Sequence, residues 1–220
     1  MLRPTRVLPA WRTLLLLAAG LSALADGARA AEYLLDAAQS EIAVTVARAG
    51  ALAVLAHDHI IVFGNVQGRL RYDAARLGDT QGEMSVVVAS AQVDDPARRA
   101  QAKLIGELGT GNVASVRENM LGPGVLDAAR HERISAVVTS LVGAPPELRA
   151  ELRLTLRGTV RTLNVPVHVA AEGRGLRAGG EFTLTQSAFG IVPYTTLFGA
   201  IAVADDVQVR FTLWLRPAGG

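Results

Sequence analysis

Apolar and polar side chains alternate along most of this chain. A period of two is a strong constraint, because successive side chains of a strand point to opposite faces, so alternation demands a half-buried β-sheet. Leu148, Ala150, Leu152, Leu154 and Leu156 stand on one face, against Arg149, Glu151, Arg153, Thr155 and Arg157 on the other. The same order recurs at Ile42, Val44, Val46, at Val66, Gly68, Leu70, Tyr72, and at Val207, Val209, Phe211, Leu213, Leu215. Weaker strands are expected near residues 83–92, 133–142, 163–171 and 178–186, with turns at Leu77-Gly78-Asp79, Gly143-Ala144-Pro145-Pro146, Gly173-Arg174-Gly175 and Ala204-Asp205-Asp206. One stretch departs from this pattern. Asp94 or Asp95 can cap a helix with Pro96 in its first position that runs to Leu104, and a second short helix is expected after Asn112, through Met120, stopping at Gly122-Pro123-Gly124. About eight antiparallel strands with a short helical insertion describe an all-β fold, a closed up-and-down barrel or a sandwich, and closure removes the sheet edges.

The first thirty residues read differently. Arg3, Arg6 and Arg12 precede the apolar run Leu14 to Leu21, and Ala28-Arg29-Ala30 follows it. A basic region, an apolar region and an A-x-A site in that order describe a signal peptide, expected to be cleaved after Ala30. The apolar run is shorter than the roughly 20 residues a spanning helix needs. Residues 1–30 are therefore read as the leader and residues 31–220 as one domain, exported in soluble form to a periplasm. The whole chain carries 22 basic and 20 acidic residues, and loss of Arg3, Arg6, Arg12, Arg29 and Asp26 turns it slightly acidic. With no run of like charge, a nucleic-acid partner is not indicated. Cysteine is absent, which excludes disulfides, thiol catalysis, thiolate metal sites and a lipidated cysteine.

A barrel of about eight strands is either filled by its own side chains or holds one small ligand. The inward sets are Val, Leu, Ala and Ile with few aromatics, and both a packed core and an aliphatic cavity fit them. A cavity lined this way suits an elongated hydrocarbon.

The order of motifs resembles the YceI-like family of exported, lipocalin-like barrels associated with polyisoprenoid lipids. Tyr33-Leu34-Leu35-Asp36 with Ser40-Glu41-Ile42 is similar to that family's first strand. Phe63-Gly64 through Gly68, Leu70 and Tyr72-Asp73 look like its following stretch, and Met120, Val125-Leu126-Asp127 and His131-Glu132-Arg133-Ile134 like its passage from helix to strand. Leu156-Arg157-Gly158-Thr159-Val160-Arg161 with Val165-Pro166-Val167, then Ser187-Ala188-Phe189-Gly190-Ile191 and Asp205-Asp206-Val207-Gln208-Val209, complete the likeness. It implies a lipocalin-like closed barrel that carries or stores an isoprenoid chain, such as a quinone tail or a polyprenol, without chemistry and with no cofactor. The implied partners are that lipid and, transiently, the inner membrane or a membrane protein. By strand parity the ligand-facing positions are Val44, Val46, Phe63, Val86, Val88, Leu154, Leu156, Phe182, Leu184, Phe189, Val209 and Phe211.

The paired histidines of Ala56-His57-Asp58-His59 depart from many relatives. Two residues apart on a strand, His57 and His59 share a face near a barrel opening, where they could ligate a divalent cation, contact a lipid head group, or belong to a structural turn. A metal would need further ligands from His131, His168, Asp58 or a distant carboxylate. Enzyme chemistry has little support: Ser187 lacks a G-x-S-x-G setting, adjacent Asp205 and Asp206 read as a turn, and the glycines form no nucleotide loop. A metal site on His57 and His59, or an interaction module with a filled core, are the competing readings. Trp214 shares the polar parity of the last strand, and is expected either to be an exposed anchor or to pack on the helical insertion.

Overall fold

The computed structural model describes residues 30–106 and 108–219, so the expected leader lies outside the described residues except for Ala30. The strands are β1 (Ala31–Leu35), β2 (Glu41–Val46), β3 (Arg48–Ala49), β4 (His59–Phe63), β5 (Gln67–Tyr72), β6 (Gln81–Val87) and β7 (Gln92–Val93). After the helices α1 (Pro96–Gln101) and α2 (Thr110–Leu121) come β8 (Arg133–Ala144), β9 (Glu147–Leu156), β10 (Thr159–Glu172), β11 (Gly175–Thr185), β12 (Thr195–Thr196), β13 (Ile201–Val203) and β14 (Asp206–Pro217). Antiparallel pairing in the order β1-β5-β6-β8-β9-β10-β11-β14, closed by β14 on β1, makes an eight-stranded barrel. Every strand of the ring therefore has two neighbours, so the ring itself presents no open edge, and the sheet ends only at the two-residue β7.

The alternation seen in the sequence is the inside and outside of this ring. Val207, Val209, Phe211, Leu213 and Leu215 of β14 are all buried, as are Leu148, Ala150 and Leu156 of β9. Burial of an aliphatic side chain contributes about 1.5–3 kcal/mol, so these stripes are the main driving force for closure.

One wall is built from two bent strands. β1 pairs with the end of β14 (Leu35 opposite Leu215), and β2 with its beginning (Ile42 opposite Phe211). The break between them is held by Asp36, whose Oδ1 accepts the N–H groups of Ala38 and Gln39, and by Ser40, whose Oγ accepts the Trp214 N–H at 3.0 Å. Ser40 thus stands in for a missing ladder bond while 2% exposed. β4 pairs with β2 and β5 with β1, so β2-β4-β7 continues the wall beyond the break, and Ile42, Val44, Ile61 and Phe63 face the interior from it.

Two turns carry the geometry. β9 and β10 join through Arg157 and Gly158, both at positive φ (51° and 73°), the primed turn whose twist suits a two-residue hairpin. The Arg157 guanidinium donates to the carbonyls of Gly190 and Pro123 and so ties this hairpin to two neighbouring loops. Asp95 caps α1 by accepting the Arg98 N–H at 3.1 Å. That helix ends at Gln101, earlier than expected, and Lys103 beyond it takes φ 56°. α2 starts two residues before Asn112 and stops, as expected, at Gly122. Trp214 is half-buried rather than an exposed anchor: it sits opposite Arg177 on β11, whose guanidinium lies 5.4 Å from its ring centroid.

Candidate ligand-binding site

A cavity of about 380 Å³ runs along the barrel interior, within the usual range for small-molecule sites. One end is formed by Leu35, Tyr72, Leu141, Leu176 and Leu215, and the other by Val46, His59, Val203 and Tyr194. At this second end Val116, Asn119 and Met120 of α2, with Val125 and Leu126, also contribute to the wall. Tyr194 is both a lining residue and half exposed, so the cavity reaches the surface here, and we call this end the mouth.

Between the ends the wall is almost wholly aliphatic. Val44, Val46, Phe63, Val86, Leu154, Leu156, Phe182, Leu184, Val209 and Phe211 all line it. Val88 and Phe189, expected beside them, do not. Both are buried, at 1% and 2% exposure, but they belong to 3₁₀ turns, Val88–Ser90 and Gln186–Phe189, where the period is three and strand parity no longer applies. Other lining positions went unnamed from sequence: Ala136, Ala150, Val165 and Val167 belong to the same stripes, whereas Met120, Leu126 and Ile191 come from outside the barrel strands.

Small side chains leave room in the interior. Gly180 on β11 faces Phe211, and a Cβ there would lie 2.7 Å from the Phe211 ring, so glycine lets that ring lie against the wall. Ala136, Ala150 and Ala178 add no bulk where a larger residue would fill the centre.

Polar atoms gather at the mouth, where His59 opens β4 and lines the cavity. Its Nδ1 lies 2.6 Å from Oδ2 of Asp94, a side chain with no exposure. Oδ1 of Asp94 accepts the Ile60 N–H at 3.0 Å and Arg99 Nη1 at 2.8 Å. Burial pushes the Asp94 carboxyl up, but hydrogen bonds from His59, Ile60 and Arg99 outweigh it and hold the group below the ordinary carboxylate value of 3.8. An ionised carboxylate only accepts, so Nδ1 of His59 carries the proton in this bond. A neutral imidazole then has Nε2 left as its acceptor. Gln186, buried with Nε2 donating to the Ala204 carbonyl, is a second polar group of the lining.

His57 does not stand beside His59. It lies before β4, outside the cavity lining, with its ring against Gly106. The expected shared face fails because parity holds only on a strand, and β4 begins at His59. His168 sits on β10 bonded to Glu147, on the wall away from the mouth, and His131 packs near Gly158. Among the described residues no three His, Cys, Asp or Glu side chains cluster as a metal would require. Asp205 acts in a turn: its carboxylate accepts the Ser187 N–H and hydroxyl.

Residues 33–215 match the family described as YceI-like domain. No curated relative matches the chain. The fold is similar to that of Burkholderia cenocepacia BcnA, at 21% identity and TM-score 0.63 over 82% of this chain and 98% of that one. It is also similar to a polyisoprenoid-binding domain from Saccharophagus degradans, at 12% identity and TM-score 0.57 over 86% and 99% of the two chains. The Campylobacter jejuni YCEI protein is similar at 9% identity and TM-score 0.52, over 69% and 81%.

Proposed function

The chain belongs to the YceI-like domain family, and from that premise we propose that it is a non-enzymatic carrier or storage protein for a long apolar lipid of the isoprenoid class. The observation that carries this reading is the continuous, predominantly aliphatic cavity, with His59 and Gln186 at its mouth and the Tyr72 ring at the opposite end. Such a wall offers no donor or acceptor along most of its length, so any heteroatom placed there would go unsatisfied, whereas each buried methylene-sized group contributes about 0.8 kcal/mol. An isoprenoid matches it: a hydrocarbon tail for the stripes and one polar terminus for the mouth. His59 is the residue we assign to that terminus, with Nε2 accepting from a polyprenol hydroxyl, or donating to a quinone carbonyl in the other protonation state. The polyisoprenoid-binding domain of Saccharophagus degradans lends the lipid class support by analogy of fold. The leader-like residues 1–30 support export to a periplasm with cleavage after Ala30.

The test is native mass spectrometry of the protein purified from cells expressing the full chain, followed by organic extraction. A retained mass that extracts as an isoprenoid is the expected result. A protein that is recovered folded and empty, and that takes up no polyprenol or quinone when these are supplied, refutes the assignment.

A further inference from the structure

Three loops meet at the mouth, and their exposed tips are apolar. Residues 49–56 and residues 186–204 contain no charged side chain. Val54, Leu55, Val192, Leu197 and Phe198 project from them into solvent, with Val54 81% exposed and Phe198 fully so. Ile105, 88% exposed, comes from the third loop. The tips are held as one surface. The Leu52 N–H donates to the Ala200 carbonyl at 2.8 Å, Ala49 pairs with Ala202 across the β3–β13 ladder, and Arg99 joins the carbonyls of Ile105 and Gly106 to that of Asp58. Leu197 and Phe198 both take left-handed backbone conformations, φ 49° and 57°, which bulky side chains rarely adopt. Apolar exposure of this size on a surface marks an interaction site.

We propose that this surface docks on a lipid bilayer, with the loop tips in the acyl boundary and the mouth facing the membrane. The occupant follows from continuity and charge. The aliphatic wall of the cavity passes through Val46, Val203 and half-exposed Tyr194 into the same loops, so the partner that covers the tips also faces the cavity. A bilayer presents hydrocarbon at both places. Arg48, which flanks the tips, is paired with Asp58, whereas Lys103, exposed and without an ion pair among the described residues, stands two residues from Ile105 and is the cation available to anionic head groups. The contact is interfacial: among the described residues no helix is long and apolar enough to cross a membrane. The docking proposal goes beyond the lipid-binding reading and rests on it only for the role of the mouth.

The test is co-flotation of the purified protein with vesicles of phosphatidylcholine containing phosphatidylglycerol, and with vesicles of phosphatidylcholine alone. Flotation is expected with both and stronger with the anionic vesicles. Val54→Asp combined with Phe198→Asp is expected to lower it by about tenfold or more, with an unchanged unfolding temperature because both side chains are exposed. Phe198→Trp should give an emission maximum that shifts to the blue when vesicles are added. A wild-type protein that floats with neither vesicle, or a Phe198→Trp variant whose emission stays put, overturns the proposal. So does a concentration-dependent dimer that the double variant abolishes, since the surface would then pair two copies of the chain. Flotation reports on the outer surface and lipid content on the interior, so a protein that floats but neither carries lipid nor takes up polyprenol or quinone when supplied overturns the carrier reading alone.

Discussion

Ala136→Phe separates an interior that holds a ligand from one that is merely packed. Ala136 is buried on β8, between Met84 of β6 and Leu154 of β9, and its side chain lines the cavity. In a filled core a phenyl ring at this position has nowhere to go, and overpacking destabilises by about 1–3 kcal/mol. With about 380 Å³ available next to it, the ring instead buries apolar area already shielded by the barrel, and the stabilisation approaches the roughly 1.5–3 kcal/mol of a buried aromatic side chain. The two cases differ in sign. For a domain of this size 1 kcal/mol corresponds to about 2–4 °C in Tm, so overpacking lowers the Tm of the lipid-free protein by up to about 12 °C, whereas cavity filling raises it, by up to a similar amount where the ring is fully accommodated. The assay is calorimetry on lipid-free wild type and variant, with lipid content measured by mass spectrometry on the same preparations before extraction. The expected outcome is an intact or raised Tm together with loss of lipid. A fall of the packed-core size, with lipid content unaltered, refutes the reasoning.

Other perturbations probe the supports of the site. Asp94→Asn removes one partner of a buried ion pair, and the expected loss is about 3 kcal/mol, near the low end for such pairs because Arg99 keeps three carbonyl acceptors; chemical denaturation measures it. Asp94 and Asp73 are both held below the ordinary carboxylate value, burial opposing and hydrogen bonds prevailing, the latter from the backbone N–H groups of Ala75 and Arg76 in the case of Asp73. Their contribution is therefore full above about pH 4, the unfolded value, and is lost as pH falls through the folded values, so the acid limb of a denaturation-versus-pH curve should be shallower in Asp94→Asn than in wild type. Gly180→Val drives a Cβ against the Pro166 carbonyl of β10 as well as into the Phe211 ring, so it displaces the cavity wall and is expected to reduce the lipid content of the folded protein more than His59→Phe, which keeps the aliphatic wall but removes the acceptor for a polar terminus; quantitative lipid extraction compares them. N-terminal sequencing of the exported protein should begin at Ala31, and a start at Met1 would remove the export reading.

The barrel was legible because its strands are half buried, and each of Leu148 to Leu156 and Val207 to Leu215 reports its own face. The limits of that legibility are local. Val88 and Phe189 continue the parity of β6 and β11 on paper, but both strands have already ended in 3₁₀ turns. His57 and His59 look equivalent until the start of β4 is known. Asp94 reads as a helix cap as readily as Asp95 does. What separates them is backbone: Asp94 takes φ 51° and turns its carboxylate toward His59, leaving the cap to Asp95. Arg99, one of several arginines on a short helix, gave no sign in the sequence that its side chain would be only 6% exposed. Of its partners only Asp58 is distant in sequence; Asp94, Ile105 and Gly106 lie within seven residues, but the turns on either side of α1 had to be known before they could be aimed at one guanidinium.

Arg99 links the two halves of the functional argument. One side of its guanidinium neutralises Asp94, which orients His59 at the polar end of the cavity. The other side holds the carbonyls of Ile105 and Gly106, and with them an exposed apolar tip. A buried guanidinium is costly to desolvate and is retained where several fixed acceptors surround it. Here those acceptors come from the segment before β4, the turn after β7 and the loop after α1, so the charge sets the spacing between the imidazole inside the mouth and the loop outside it. A change at the outer loop is therefore coupled to the orientation of His59 through a single side chain. Arg99→Lys tests this coupling: a lysine keeps the charge but cannot span Asp94 and the two loop carbonyls at once, so lipid content and flotation should fall together, whereas Val54→Asp with Phe198→Asp should lower flotation and leave the lipid already bound in place.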